Sequence, residues 1–270
     1  EEKKLEDMSV AEKIGVGIDY YLSKMNADYV DKTLSGVAKT ALLIAYERQL
    51  ETEREEGDRL FSDPFAKTLA GSLGAPMSQM MKEQHQRWPQ FKDWPEYHVV
   101  WTAVRTRFCD NWFDEQLETG AKQAVILGAG MDTRAYRLES LKKLENLWEV
   151  DMEDLNAAKK KLTADFPVLP KHQHIVTCDV TADKLKDKLN GFDEASASLW
   201  LLEGLVMYMP FEDQVEMLKQ IVEMSHSGSS VLVNFIQNDT GEGPQTLNKE
   251  KFQEIFVGWK LEIFCYGDKT

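Results

Sequence analysis

Cysteine is scarce: Cys109, Cys178 and Cys265 are the three in 270 residues. They lie far apart, are odd in number and form no C-x-x-C pair, which suits neither a disulfide framework nor a zinc site. Free thiols in a reducing, cytoplasmic setting are the expectation. Sixteen Gly and eight Pro are too few for a collagen-like or low-complexity chain. No apolar run approaches the ~18–20 residues of a membrane span, and the longest stretches, such as ALLIAY at 41–46, are core-sized. Positive charge is also short, with 32 Lys and Arg against 46 Asp and Glu and a net charge of −14. That balance repels phosphate backbones and sets a nucleic-acid partner aside. The opening EEKKLEDMSV is charged and is no signal peptide; without an initiator Met it reads as a trimmed chain.

A hydrophobic fraction of 43% is enough for a real core. Apolar positions recur every three or four residues over 9–25 and 33–53, predicting amphipathic helices. The acidic run ERQLETEREEGDR at 47–59 reads as a solvated helix end. Asp63-Pro64 predicts an N-cap followed by a first helical residue, 71–77 a loop, and 97–118 a helix. At 122 the period changes. Short apolar runs at 123–127, 147–150, 174–178, 198–202, 229–236 and 259–265 read as strands, with helices over 152–163 and, opened by Pro210, over 211–225. Strands alternating with helices predict an α/β fold with a doubly wound, mostly parallel sheet. Residues 1–120 then form an N-terminal helical cap and flank, and 121–270 the α/β core, within one integrated domain.

The strongest local signal is VILGAGMDTRAYRL at 125–138. A strand runs into Gly128-Ala129-Gly130 and a helix begins near Asp132. Such a turn lets backbone approach a ligand closely and aims unpaired N–H groups at it. It falls short of G-x-G-x-x-G, since Arg134 stands where a further Gly would sit, so a nucleoside carrying an amino acid fits better than a pyrophosphate cofactor. Asp151, ending the next strand, can accept from two ribose hydroxyls or cap the following helix. Asp179, in Cys178-Asp179-Val180, can accept from an adenine amino group or serve as a cap. Glu203 closes the apolar strand in WLLEGLVMYMP at 200–210. A charge placed there must meet a ligand or an arginine; a purely structural ion pair is the competing reading. His172 and His174 share a strand face, but no third metal ligand is evident, so no metal is expected.

Together, LGAGMDTRAYRL, EVD and EGLVMYMP resemble the leucine carboxyl methyltransferase family in its broad sense, including its bacterial small-molecule branch. KTALLIAYERQLE at 39–51, FSDPFAKTLAG at 61–71 and VRTRFCDNWF at 104–113 extend the likeness over about residues 33–236. The resemblance implies a class I methyltransferase fold and S-adenosyl-L-methionine as cofactor. It implies Gly128 and Gly130 close to the methionine part, Asp151 at the ribose, Asp179 on the adenine side and Glu203 at the methionine ammonium, with Ala129, Asp132, Met152 and Val180 as further cofactor-binding residues. Arg105 or Arg107 would pair with the methionine carboxylate, in keeping with the bidentate fork of a guanidinium, and Lys39 would reach the cofactor as well. The sequence departs from the family in a short segment between 236 and 251 and in stopping soon after Tyr266, where another strand is expected.

The implied activity is O-methyl transfer to a carboxylate or hydroxyl of a small-molecule acceptor. A protein C-terminal carboxyl methyltransferase and a non-catalytic cofactor-binding module are the alternatives. A carboxylate acceptor is ionised at pH 7 and needs no base, whereas a phenol does. No obvious base stands out beyond Tyr20, Tyr21, Tyr208, His85 and His98, which favours a carboxylate acceptor, and Tyr208 and Tyr21 are the positioning candidates. Met77, Met80, Met81, Trp88, Phe91 and Trp94 are the best acceptor-pocket guess. The oligomeric state is not legible.

Overall fold

The computed structural model describes residues 4, 7–25, 34, 36–87, 92, 94, 96–235 and 247–262. Five parallel strands carry the fold: β1 (Gln123–Leu127), β2 (Asn146–Asp151), β3 (His172–Thr177), β4 (Ser198–Leu202) and β5 (Ser230–Val233), in the order β3-β2-β1-β4-β5. Every residue of β1 and β4 is buried, as a strand covered on both faces requires. Leu127 pairs with both Val150 and Leu202. The order reverses at β1, so a crevice opens beyond the carboxyl ends of β1 and β4, where open α/β sheets bind ligands.

The helices are α1 (Val10–Met25), α2 (Thr40–Thr52), α3 (Ala66–Ala70), α4 (Gly74–Gln86), α5 (Tyr97–Leu117), α6 (Arg134–Arg137), α7 (Glu153–Leu162), α8 (Leu185–Lys188), α9 (Phe211–Met224) and α10 (Lys249–Ile255). One sheet face packs Trp148, Trp200 and Leu202 against Met217, Leu218 and Ile221 of α9. The other packs Ala124, Ile126 and Leu201 against Cys109, Phe113 and Leu117 of α5. A third cluster joins Ile18 and Leu22 of α1, Leu42 of α2 and Met77 of α4 to Met131 and Leu155 of the α/β half. The N-terminal helices thus close over the carboxyl ends of the strands.

Four sequence expectations need correction here. The 71–77 loop ends at Leu73, because α4 begins at Gly74, whose missing side chain leaves room for Tyr46; an added Cβ would lie 2.6 Å from the Tyr46 Cβ. Asp63 does not open a helix at Pro64. Its Oδ1 accepts from Phe65 N at 3.2 Å, α3 starts at Ala66, and the rest of the carboxylate is taken up by ion pairs. The run at 47–59 is not simply solvated, since Glu47, Arg48 and Glu51 are buried. Of the strand expected at 259–265, residues 259–262 are not strand and the remainder lies outside the described residues, as do Trp88, Phe91 and Cys265. Trp94 is exposed.

Candidate active site

Gly128 and Gly130 leave β1 with φ of +65° and +46°, a region open to glycine but strained for other residues. A Cβ on Gly128 would come within 2.8 Å of Leu205 Cδ1. Asp151 sits beside this turn: its Oδ2 accepts from Gly130 N and its Oδ1 from Met152 N, both at 2.7 Å. Burial raises the pKa of its carboxyl, opposed by those two backbone donors. The carboxylate still faces a cavity of about 1370 Å³, which runs from Asp179 and Val180 past the glycine turn to Tyr97 and His98.

Asp179 borders the same cavity while its Oδ1 accepts from Thr181 N at 3.0 Å and Thr181 Oγ1 at 2.7 Å, so it caps the turn after β3 as well. Ala129, Asp132, Met152 and Tyr208 line it too. Tyr208 Oη lies 3.5 Å from Thr40 Oγ1. Three expected residues, Lys39, Arg107 and Tyr21, point elsewhere. Lys39 Nζ is buried on Asp19 Oδ1 at 2.6 Å and does not line the cavity. Arg107 is on the exposed side of α5. Tyr21 donates to Glu83 Oε2 at 3.0 Å, outside the cavity wall.

Glu203 is held between two arginines: Oε1 accepts from Arg105 Nε at 2.7 Å and Oε2 from Arg134 Nη2 at 2.8 Å. Burial alone would raise its pKa, but the two guanidinium groups outweigh burial and hold the carboxyl far below the usual range. Arg105 also lies over the Trp101 ring, 4.1 Å from its centroid. Its terminal nitrogens make no hydrogen bond among the described residues, and the side chain lines the cavity.

The pairing continues inward. Arg134 binds Asp132 and, at 2.7 Å, Asp110. Arg137 binds Asp110 at 2.7 Å and approaches Asp63 at 3.6 Å. Arg48 binds Asp63 at 2.8 Å and the Met131 carbonyl at 2.6 Å. Burial would raise the pKa of Asp63, but Arg48, Arg137 and a hydrogen bond from Thr133 pull it below the ordinary value. This chain of charges ties α2 to the β1–α6 turn.

A second group lies at the far end of the cavity. Buried Glu47 of α2 meets His98 of α5, and its carboxylate also accepts from Thr102 and Ser78. Arg134, Asp110 and Glu47 did not emerge from sequence motifs. Their one signal is polar residues on the inward face of a helix: Thr102, Arg105, Thr106 and Asp110 of α5 are all buried.

A model of the leucine carboxyl methyltransferase family matches residues 41–222. The chain belongs to that family. Among its relatives, a protein of Saccharopolyspora erythraea is 33% identical over 216 residues, covering 78% of this chain and 72% of the relative. Another, of Mycobacterium marinum, is 30% identical over 240 residues, covering 85% and 72%. Both bear the name "Putative S-adenosyl-L-methionine-dependent methyltransferase". The chain is a methyltransferase of this family with the class I fold, and S-adenosyl-L-methionine is its cofactor.

The residues present suit that cofactor: a buried carboxylate at the end of β2, a glycine turn that a Cβ would fill, and a guanidinium with free donors. No three His, Cys, Asp or Glu side chains among the described residues could hold a metal ion. No helix among them is long and apolar enough to cross a membrane. Cys109 and Cys178 are buried free thiols; burial pushes Cys178 up to about 11 and Cys109 well above its ordinary value.

Proposed function

We propose that this methyltransferase transfers the methyl group of S-adenosyl-L-methionine to an oxygen of a small-molecule acceptor. The size and continuity of the cavity carry the reading. About 1370 Å³ exceeds the ~300–1,000 Å³ of an ordinary ligand pocket, which leaves room for an acceptor beside the cofactor. α1, α2, α4 and α5 all contribute to its walls, and a cavity walled by helices in this way suits a small molecule. When bound, the cofactor supplies an electrophilic methyl group on a sulfonium.

The chain's own part is positioning. Asp151 accepts from the ribose hydroxyls, with Met152 beside it. Asp179 and Val180 border the adenine. The backbone of Gly128, Ala129 and Gly130, with Asp132, follows the methionine part. Arg105 presents its terminal nitrogens to the methionine carboxylate, and Glu203, with Arg134 behind it, fixes that guanidinium from the other side.

The test is turnover with isotopically labelled S-adenosyl-L-methionine against a panel of small carboxylic acids, phenols and a C-terminal leucine peptide, alongside calorimetric titration of the cofactor. Binding with transfer to small molecules is the expected result. Transfer to the peptide alone would move the protein to the carboxyl-terminus class, and binding without any transfer would leave a cofactor-binding module. Asp151→Ala should weaken the cofactor by ~1–3 kcal/mol, about 5- to 150-fold, by removing a charged hydrogen-bond acceptor; unchanged affinity would take Asp151 out of the site.

A further inference from the structure

One arrangement in the cavity is not explained by cofactor binding. His98, Trp101 and Arg105 follow one another at helical spacing on α5, and all three line the cavity. The Trp101 ring lies 5.9 Å from the His98 ring and directly under the Arg105 guanidinium. The three form a stack that leads from the cofactor end to the other end of the cavity.

His98 Nδ1 sits 2.9 and 2.7 Å from the two carboxylate oxygens of Glu47, whose side chain is 0% exposed. Glu47 also accepts from Thr102 Oγ1 at 2.6 Å and Ser78 Oγ at 3.2 Å. A carboxylate offers only acceptors, so Nδ1 is the donating nitrogen of this contact and Nε2 is the nitrogen left for an acceptor. Nε2 makes no hydrogen bond among the described residues. Burying a carboxylate is costly, and a contact between α2 and α5 could have been made with apolar side chains instead. What the carboxylate does here is fix the tautomer and orientation of an imidazole that borders the cavity. The charged and titratable groups nearest that imidazole are Glu47 from α2, His85 from α4 with its ring centroid 5.8 Å away, and Arg105 two turns along α5.

We infer that His98 is the general base of the reaction, that Glu47 is its positioning residue, and that the acceptor is an aromatic hydroxyl. The inference rests on the methyl-transfer reading above and narrows it. A carboxylate acceptor would already be ionised and would leave an oriented imidazole without work, whereas a phenol near pKa ~10 keeps its proton at neutral pH. Met77, Met80, Met81 and Trp101 line the same cavity, and polarizable, adaptable side chains suit a flat ring. In the step, the phenol proton passes to His98 Nε2 and an oxygen electron pair forms the new O–C bond. The C–S bond of the cofactor breaks with its electron pair staying on sulfur, which leaves as a neutral thioether. His98 then releases its proton to solvent.

The experiment compares wild type, His98→Gln, His98→Ala and Glu47→Gln on a panel of phenols, nitrophenols and aromatic carboxylic acids, with cofactor affinity measured by calorimetry on the same preparations. Wild type should methylate phenols. In His98→Gln the kcat on an ordinary phenol should fall ~100-fold or more, while a nitrophenol that is already ionised at the assay pH loses less than about tenfold and cofactor affinity stays near wild type. Added imidazole should restore part of the phenol activity of His98→Ala, and Glu47→Gln should lower kcat more than it raises the KM for the acceptor. Equal losses on phenol and nitrophenol, an unchanged kcat in His98→Gln, or wild-type transfer that reaches acids but no phenol would each overturn the inference. A wild-type protein that binds no cofactor would instead overturn the proposed function itself.

Discussion

Replacing Glu203 by Gln probes the charge network most directly. The side chain is 11% exposed and each carboxylate oxygen takes a guanidinium. Gln keeps the shape and one acceptor oxygen but turns an amino group toward the second arginine. Four arginines, Arg48, Arg105, Arg134 and Arg137, are matched in this network by Asp63, Asp110, Asp132 and Glu203; the substitution leaves one buried positive charge uncompensated. Removing one partner of a buried pair costs ~3–5 kcal/mol. With an unfolding entropy of ~2 cal/mol/K per residue, a chain of this length should melt about 5–9 °C lower. Scanning calorimetry without ligand at pH 7 measures it. The pH dependence adds a check. Because the two arginines depress the folded-state pKa of Glu203, its contribution is complete above the unfolded pKa of ~4.3 and fades as pH falls from there toward the folded value. The gap between wild type and variant should therefore narrow below about pH 4. A variant that melts like wild type at pH 7 and binds the cofactor more weakly would refute the reasoning and return Glu203 to the methionine ammonium.

Two further outcomes follow from local geometry. Gly128→Ala should lose about 1–3 kcal/mol of stability, since φ is +65° and the new Cβ meets Leu205; thermal melting that matches wild type would show that the turn can relax. Lys159 and Glu149 form a buried pair at 2.7 Å, so Lys159→Met should cost ~3–5 kcal/mol in urea unfolding. Lys159→Met combined with Glu149→Gln should recover much of it, and a double variant as unstable as the single one would refute the pairing argument.

The sheet was legible because its strands announce themselves. Expectations for 123–127 and 198–202 match β1 and β4 at both ends, each an apolar run closed by Gly128 or Glu203. Pro210 and a clean helical period placed α9 to within a residue. The glycine turn and the two aspartates after β2 and β3 were readable for the same reason: each stands at a strand's carboxyl end, where topology converges. The charges were not. Glu47 and Arg48 sit in a run that looks hydrophilic, and nothing local says that His98 arrives to meet the first, or Asp63 and Met131 the second. Arg105 and Arg107 are two residues apart with similar neighbours, and only the rotation of α5 separates the buried one from the exposed one. Lys39 follows the same logic, with a partner on α1 that no spacing rule supplies.

The stack on α5 has a consequence for how this enzyme could change its acceptor. His98 and Arg105 belong to one rigid rod, with Trp101 wedged between them. Rotating that rod to admit a new acceptor also re-aims the guanidinium, so selectivity and cofactor affinity cannot drift apart through this helix. Met77, Met80 and Met81 of α4 border the same cavity and stand on a different helix from every arginine of the network. Divergence toward new acceptors therefore has a path of least resistance through α4, and the histidine, tryptophan and arginine of α5 should change together or stay fixed.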